Sequence, residues 1–379
     1  MNKSRMTTVL LLLAMLVLSM VFVPLVSAQE KGTVDSSKTY KLTGTEKKLI
    51  EEYNFTVEDI QYYKDLGFDA KTILKTESKV KYIGSLPAVV QEAPYRPMLV
   101  ADSETQKAIL GHIDGFSVSD TEKKSMKEAM SDIWSRMPDG ITTEDYSTLE
   151  EIGGQLNSYL GDRYWKDEVT AKWTATPHGD FIFHAVMNVY DNRYWANYAK
   201  SYADDPDSMD TGFARYYNHF YHPVFPTAGG APNQCAFYGA IALNYYTAGD
   251  SFNAFKNLGY SSHYLSDVGN PMHTDGVIDQ YLDEAPHIAY ENYVYSNWDY
   301  GYNYRSIVSS NTASKTVTNP VTATKNLAAY SNPYYDTLWD EITANPSGFG
   351  SDIDVRYATS KVIRETAKYN VGLAEYIST

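Results

Sequence analysis

Residues 263–273 read HYLSDVGNPMH. In a helix, His263 and Asp267 are four residues apart, so their side chains lie on the same face. Pro271 stops such a helix, and His273 follows in a fresh segment that turns back toward that face. The stretch therefore predicts imidazole, carboxylate and imidazole groups around one cleft.

A second pair with the same spacing follows in HIAYE, which places His287 four residues before Glu291. Imidazole nitrogen and carboxylate oxygen are ligands that zinc takes in catalytic sites. One such pair on a surface helix is more often accidental than functional. Two pairs together with His273 favour a site for more than one metal ion.

Helix signals dominate the rest of the chain. The apolar run AFYGAIALNYYTAG (236–249) ends at a glycine, and Asp250 then provides an N-cap for the helix that carries His263. Strand-like alternation is scarce. The sequence predicts an all-α fold, a compact multi-helix domain preceded by a mainly helical N-terminal segment.

The first 28 residues look like a targeting signal. A short basic stretch precedes VLLLLAMLVLSMVFVPLV (9–26), and small residues before Gln29 suit cleavage. We therefore predict a signal peptide at 1–28 and a secreted protein. The alternative is an uncleaved run that anchors the protein in a membrane, since its length approaches that of a bilayer span.

The remaining chain divides near residue 173. Residues 29–172 contain helix-like pieces, such as the one that Ser119 or Asp120 would cap, and the proline-rich linking stretch SLPAVVQEAPYRPM (85–98). They show no clustered ligand pattern. Seven of the eight histidines lie in 173–379, which we predict to be the catalytic domain.

Composition excludes some classes of partner and of stabilisation. Cys235 is the only cysteine, so no intramolecular disulfide forms, and we expect it to be a small buried residue. The formal net charge of −15 argues against nucleic acid as a partner. Bound divalent metal would offset part of the acidic surplus.

Taken together, the motifs resemble the zinc-dependent phospholipases C, the bacterial lecithinase group. Two further stretches match that family in order: WTATPHGDFIFHAVMNVY (173–190) and PDSMDTGFARYYNHFYHP (206–223). The resemblance implies an all-helical domain with three zinc ions in one cleft. It also implies hydrolysis of phospholipids on the glycerol side of the phosphate, giving diacylglycerol, or its counterpart, and a phosphorylated head group.

Carried over position by position, the resemblance implies three ligand sets. They are Asp207, His219, His263 and Asp267 for one zinc, His273, His287 and Glu291 for the second, and Trp173, His184 and bridging Asp267 for the third. His178 and His222 fall outside the motif, and we interpret them as surface residues or as residues behind the ligands.

The third zinc depends on a free amine at Trp173. In the family this tryptophan is the first residue of the mature enzyme, whereas here 29–172 would precede it. One hypothesis is a propeptide that is cut between Lys172 and Trp173. The other is that the segment stays attached and leaves the third site weak or empty.

The resemblance also suggests roles for groups around the phosphate. Asp207 is the candidate base for the attacking water, or only a ligand. Tyr216 and Tyr217 are candidates for binding the head group of a phospholipid or membrane substrate through cation–π contacts. Ser208 stands where the choline-lipid enzymes tend to have an aromatic residue, so the resemblance does not specify the head group of the substrate. No protein partner is predicted.

Two other functions compete with this one. The related S1/P1-type single-strand nucleases share the three-zinc scaffold, but their last ligand pair usually lies further downstream and ends in Asp. A non-catalytic, zinc-stabilised surface-binding protein would need the metal only for its fold. The complete set of acid and ligand positions favours the phospholipase.

Overall fold

The computed structural model describes residues 42–165, 175–224, 229–275 and 285–379. Contacts divide the chain into Met1–Thr43 and Gly44–Thr379, and the second unit is described below. Its regular structure within the described ranges is helical, with no strand, so the predicted all-α class is confirmed. The predicted signal peptide at 1–28 lies outside the described residues.

The region before residue 173 contributes eight helices in its described part. They are α1 (Gly44–Tyr53), α2 (Val57–Asp65), α3 (Ala70–Gly84), α4 (Ala88–Gln91), α5 (Arg96–Val100), α6 (Ser103–Ile113), α7 (Asp120–Arg136) and α8 (Tyr146–Leu160). A 3₁₀ turn precedes α8 and a π turn at Gly161–Trp165 follows it.

The described residues after 173 contribute ten more. They are α9 (Ala175–Tyr190), α10 (Arg193–Lys200), α11 (Asp205–Met209), α12 (Phe213–Tyr217), α13 (Ala231–Thr247), α14 (Ser251–Asp267), α15 (Ala285–Ser296), α16 (Arg305–Ser309), α17 (Pro320–Ala344) and α18 (Ile353–Tyr376). None of the described helices is both long and apolar enough to span a bilayer.

Side-chain caps explain where two predicted helices begin. Ser119 and Glu122 form a capping box at the start of α7, in which each side chain accepts a hydrogen bond from the other residue's backbone N–H. Asp250 accepts from the backbone N–H of Asn253 at the start of α14, at 3.1 Å. These groups satisfy backbone donors that the first helical turn leaves without partners. Both predicted caps are confirmed.

Helix α14 lies at the centre of the described C-terminal helices, in contact with α9, α10, α13 and α18. From Ala254 onward nearly every residue is buried. Gly259 allows the close approach of α10, because a Cβ there would lie 2.5 Å from the carbonyl oxygen of Ala199. This enclosed helix carries His263 and Asp267, so both side chains lie in the protein interior.

The helices before residue 165 share a core with the C-terminal helices. One cluster of buried side chains includes Met98 and Leu149 together with Leu338 and Ile363. The apolar residues of α1–α3 pack against Tyr357. The predicted boundary between residues 172 and 173 lies outside the described residues and stays a prediction, but the described chain on either side of it packs as one unit.

Candidate metal centre

Eight of the described residues after 173 form three adjoining groups of potential metal ligands, in which His263 takes part twice. The groups are His178, His263 and Asp267; Asp207, His219 and His263; and His273, His287 and Glu291. In each group the ligand atoms lie within 4.8 Å of one another.

The end of α14 and the turn after it create the centre. His263 Nε2 lies 3.4 Å from Asp267 Oδ2, as expected for residues one helical turn apart. Beyond the helix, the side-chain oxygen of Asn270 accepts a hydrogen bond from the backbone N–H of Met272 at 3.0 Å. The resulting 3₁₀ turn returns His273 to the same cleft, with its Nδ1 3.8 Å from Asp267 Oδ1.

Backbone carbonyl groups determine which ring nitrogen of His263 and of His273 faces the centre without a proton. His263 Nδ1 lies 2.7 Å from the carbonyl oxygen of Ala203, and His273 Nδ1 lies 3.1 Å from that of His219. A carbonyl oxygen only accepts, so in each case Nδ1 carries the proton and donates it. In the neutral form of each ring Nε2 is then an acceptor, the form that binds a metal.

The third group has the dimensions of a zinc site. Glu291 Oε1 lies 3.0 Å from both His273 Nε2 and His287 Nε2, and the two nitrogens are 3.2 Å apart. Ligands about 2.0–2.1 Å from a tetrahedral zinc ion would be about 3.3 Å from one another. Asn270 also donates its side-chain N–H to Glu291 Oε1 at 3.2 Å, which orients the carboxylate. The donor set therefore fits zinc.

The second group is tighter around His219 than around Asp207. His219 Nδ1 lies 2.9 Å from Asp267 Oδ2 and 3.0 Å from His263 Nε2. Asp207 Oδ1 lies 3.8 Å from each of these histidine nitrogens. Its side chain is 19% exposed, compared with 4% or less for His219, His263 and Asp267. Asp207 is thus the member of the group with the best access to solvent.

Asp210 was missed by the sequence analysis. Its Oδ2 lies 3.3 Å from His219 Nε2 and accepts a hydrogen bond from the hydroxyl of Tyr264 at 2.9 Å. A proton on His219 Nε2 shared with this carboxylate leaves Nδ1 free to act as a ligand. The signal was available, because Asp210 stands in the same acidic stretch as Asp207 and nine residues before His219.

Electrostatics make the cluster attractive to cations. Burial alone would raise the pKa of Asp267, but its interactions with His263 and His219 hold it well below its ordinary value. Burial likewise opposes ionisation of Glu291, and the neighbouring His287 and His273 nonetheless lower its pKa to about 2. Both carboxylates are therefore ionised at neutral pH.

The pKa values of His263 and His219 are shifted in opposite directions. Burial lowers the pKa of His263 well below its ordinary value, which keeps the ring neutral and suited to metal binding. Burial also disfavours a charge on His219, but Asp267 and Asp210 outweigh it and raise its pKa to about 10. A metal ion bound at His219 Nδ1 therefore competes with a proton for that nitrogen.

Comparison with known proteins gives a partial match. No protein-family model matches this sequence. Two curated phospholipases C from Bacillus cereus are each 33% identical to this chain over 106 residues. The chain resembles bacterial phospholipase C. The matched part is 27% of this chain and 35% of each relative, so the chain spans about a third of the length of the phospholipases C that it matches.

Solved structures give a weaker likeness. The alpha-toxin of Clostridium perfringens is 15% identical, with a TM-score of 0.39 over 55% of this chain and 65% of the toxin. The alpha toxin of Clostridium absonum is 17% identical, with a TM-score of 0.41 over 56% of this chain and 67% of that toxin. The similarity to phospholipase C accordingly stands on the sequence match.

The structure places a different histidine of α9 in the centre from the one that the phospholipase C resemblance implied. His178 is 2% exposed, its Nε2 lies 3.3 Å from Asp267 Oδ1, and its ring stacks on that of His263 at 4.2 Å. His184 belongs to none of the three groups. Six residues along a helix rotate a side chain by about 600°, which turns His184 away from the face that carries His178.

Of the two alternatives for His178 and His222, surface residues or residues behind the ligands, burial excludes the first. Both are buried, and His222 Nε2 lies 3.4 Å from Asp275 Oδ1. The spacing from Trp173 does not distinguish His178 from His184, because the choice depends on how α9 packs against α14. Trp173, predicted to ligate the third zinc of a phospholipase C, lies outside the described residues.

Tyr216 and Tyr217, the predicted head-group residues, lie in α12 just before His219. Both are partly exposed, and Tyr217 stacks on the exposed ring of Phe213 at 5.4 Å between centroids. Their position beside the centre is compatible with contact to a phospholipase C substrate, and their role stays a prediction.

A fourth acidic group lies elsewhere, on α17 and at the start of α18. It consists of Glu341, Asp352 and Asp354. The ammonium group of Lys75 pairs with Asp354, so a lysine already supplies positive charge to these carboxylates. We do not assign a metal to this group.

Proposed function

We propose that the protein is a secreted, zinc-dependent phospholipase C that cleaves phospholipids on the glycerol side of the phosphate. The observation that carries the proposal is the continuous centre in which His263 belongs to two ligand groups and His273 returns from the next turn to a third. The local match to phospholipase C of Bacillus cereus supports the substrate class.

The ligand sets follow from the contacts in the centre. His219, His263 and Asp267 would hold one ion, with Asp207 at the exposed side of that site. His273, His287 and Glu291 would hold a second. A third would lie at His178 and the bridging Asp267, with His178 in place of His184. A further hypothesis, which comes from the resemblance, is that Trp173 adds its free amine and carbonyl to this third site.

Zinc in these sites would supply positive charge to the phosphate oxygens and lower the pKa of a nearby water. Asp207, the most exposed member of the second group, would orient that water and take its proton. Asp210 holds His219 in place through Nε2, and Tyr216 and Tyr217 would contact the head group.

The first test measures hydrolysis of mixed phospholipid vesicles and of single-stranded DNA in parallel, with products identified by phosphorus NMR. We expect phosphorylated head groups to appear from the vesicles and to be abolished by a chelator. DNA cleavage without lipid turnover would assign the centre to a nuclease. No turnover of either substrate by a zinc-loaded protein would indicate a metal-stabilised binding protein.

A single substitution separates catalysis from metal binding. Asp207→Asn is expected to keep the zinc content of the wild type and to lower turnover by about 10²–10⁴-fold, the usual contribution of a general base. Asp191→Asn is the matched control, because Asp191 is exposed, its φ of 47° suits asparagine, and about 20 Å of α9 separate it from His178. Loss of zinc together with turnover in Asp207→Asn would make Asp207 a ligand and not a base.

A further inference from the structure

Arg96, which belongs to the segment before residue 173, is buried among C-terminal residues. It begins α5 and is only 1% exposed. Its Nε and Nη2 donate to the two oxygens of Asp336 at 2.9 and 2.6 Å, a two-pronged pairing with a carboxylate that is itself fully buried. Such a pairing fixes both the position and the orientation of the guanidinium group.

The same guanidinium group contacts the chain that leaves the metal centre. Arg96 Nη2 forms an ion pair with Asp275, whose other oxygen lies 3.4 Å from His222 Nε2. Arg96 Nη1 lies 3.4 Å from Asn332 Oδ1. The side-chain N–H of Asn332 in turn donates to the carbonyl oxygen of Thr274 at 2.8 Å.

Thr274 and Asp275 directly follow His273, a ligand of the third group. Arg96 therefore holds the residues on the far side of this ligand through two routes, one ionic and one by way of Asn332. On the near side, Asn270 fixes the turn. His273 is thus held from both sides, and one of the two supports comes from the N-terminal segment.

Other buried contacts hold the same segment in place. Glu77 accepts hydrogen bonds from the hydroxyls of Tyr334 and Tyr357 at 2.9 and 2.6 Å, and its Oε1 lies 3.3 Å from Lys361 Nζ. Lys79 pairs with the buried Asp340. Removing the segment would take the opposite charges away from Lys361, Asp340 and Asp336, and breaking buried ion pairs in this way is strongly destabilising.

We propose that residues 44–165 are a permanent part of the enzyme and that Arg96 is a positioning residue for the third ligand group. The metal part of this inference rests on the proposed function. A cut near Trp173 would then free the amine of that residue without releasing the segment, so cleavage and retention are compatible. The partner of the C-terminal helices is therefore the chain's own N-terminal segment.

The first experiment places a specific protease site within residues 166–174 of the full chain and cleaves the purified protein. We expect the two fragments to coelute in size-exclusion chromatography under native conditions and to separate only in denaturant. A C-terminal fragment that separates from residues 44–165 and keeps its helicity would overturn retention. This readout needs no metal, so it holds even if the protein does not hydrolyse lipid.

The second experiment compares Arg96→Met with Arg96→Lys, with zinc content and affinity as readouts. Arg96→Met is expected to weaken binding of one zinc equivalent by about 10–100-fold, as for other residues that orient a ligand, and to leave the others bound. Arg96→Lys should restore part of the loss. Unchanged zinc binding in a folded Arg96→Met protein would overturn the positioning role.

If Arg96→Met does not fold, Asn332→Ala decides, because it removes the link from Arg96 to Thr274 and leaves the pairs of Arg96 with Asp336 and Asp275 in place. A loss of zinc affinity at one site supports the role of Arg96, and unchanged affinity overturns it. A wild-type protein that binds zinc but leaves phospholipids intact would defeat the proposed function alone. The positioning role would then still be decided by zinc affinity.

Discussion

Glu341 offers a quantitative test of the electrostatics of the structure. It is partly buried on α17, beside Asp352 and Asp354 and near Lys75 and Lys79. Burial and the neighbouring Asp352 raise the pKa of Glu341 from 4.5 to about 7, although the two lysines oppose this. The perturbation is Glu341→Gln, which keeps the shape of the protonated side chain and does not ionise.

The sign and size of the effect follow from linkage. Between pH 4.5 and about 7 the folded protein binds a proton at Glu341 that the unfolded chain has lost, so the free energy of unfolding falls as pH rises. A pKa difference of about 2.5, from 7 minus 4.5, corresponds to about 3.4 kcal/mol as an upper limit. Solvent screening of this partly exposed group reduces the expected effect to about 1.5–2 kcal/mol.

The assay is urea unfolding of both proteins at pH 4.5 and pH 8, with chelator present throughout. Glu341→Gln should match the wild type at pH 4.5 and exceed it by about 1.5–2 kcal/mol at pH 8. Glu128→Gln is the control, because Glu128 is 69% exposed in a helix ion pair with Lys124 and should change neither value. A gain of equal size at both pH values, or none at pH 8, would refute the reasoning.

Three further outcomes are expected. His178→Ala should lower the zinc content measured by elemental mass spectrometry, whereas His184→Ala should not. The reverse pattern would restore the ligand set implied by the resemblance to phospholipase C. Gly259→Ala should lower the free energy of unfolding by about 1–3 kcal/mol in denaturant melts, because its Cβ would meet the carbonyl of Ala199, whereas Gly111→Ala, with open space around it, should not destabilise. Chelation before heating should lower the melting temperature, since a metal bound in the proposed centre would stabilise the folded state, and identical melting curves with chelator and with zinc would contradict a metal centre.

Local spacing was sufficient where the ligands share a helix or a turn. His263 with Asp267 and His287 with Glu291 are brought together by helical periodicity alone. His273 follows from the proline that ends the helix. These parts of the centre needed no knowledge of distant packing, which is why the sequence predicted them.

Long-range packing determined the features that the sequence did not predict. His178 and His184 are both compatible with the sequence, and only the placement of α9 against α14 distinguishes them. Arg96 stands in a stretch read as a proline-rich link, yet it lies in α5 with its charge buried against Asp336, 240 residues away. An arginine in a linking segment is ordinarily solvated, so its burial depends on a partner that local sequence does not reveal.

The interlocking of the two ends of the chain has a consequence for the order of folding. Arg364 Nη1 donates to Asp59 at 2.8 Å across 305 residues of sequence. During synthesis the first helices emerge long before α17 and α18, against which they bury their apolar faces. Pairings this distant are slow to form. We therefore expect residues 44–165 to complete their buried contacts only after α17 and α18 have been synthesised.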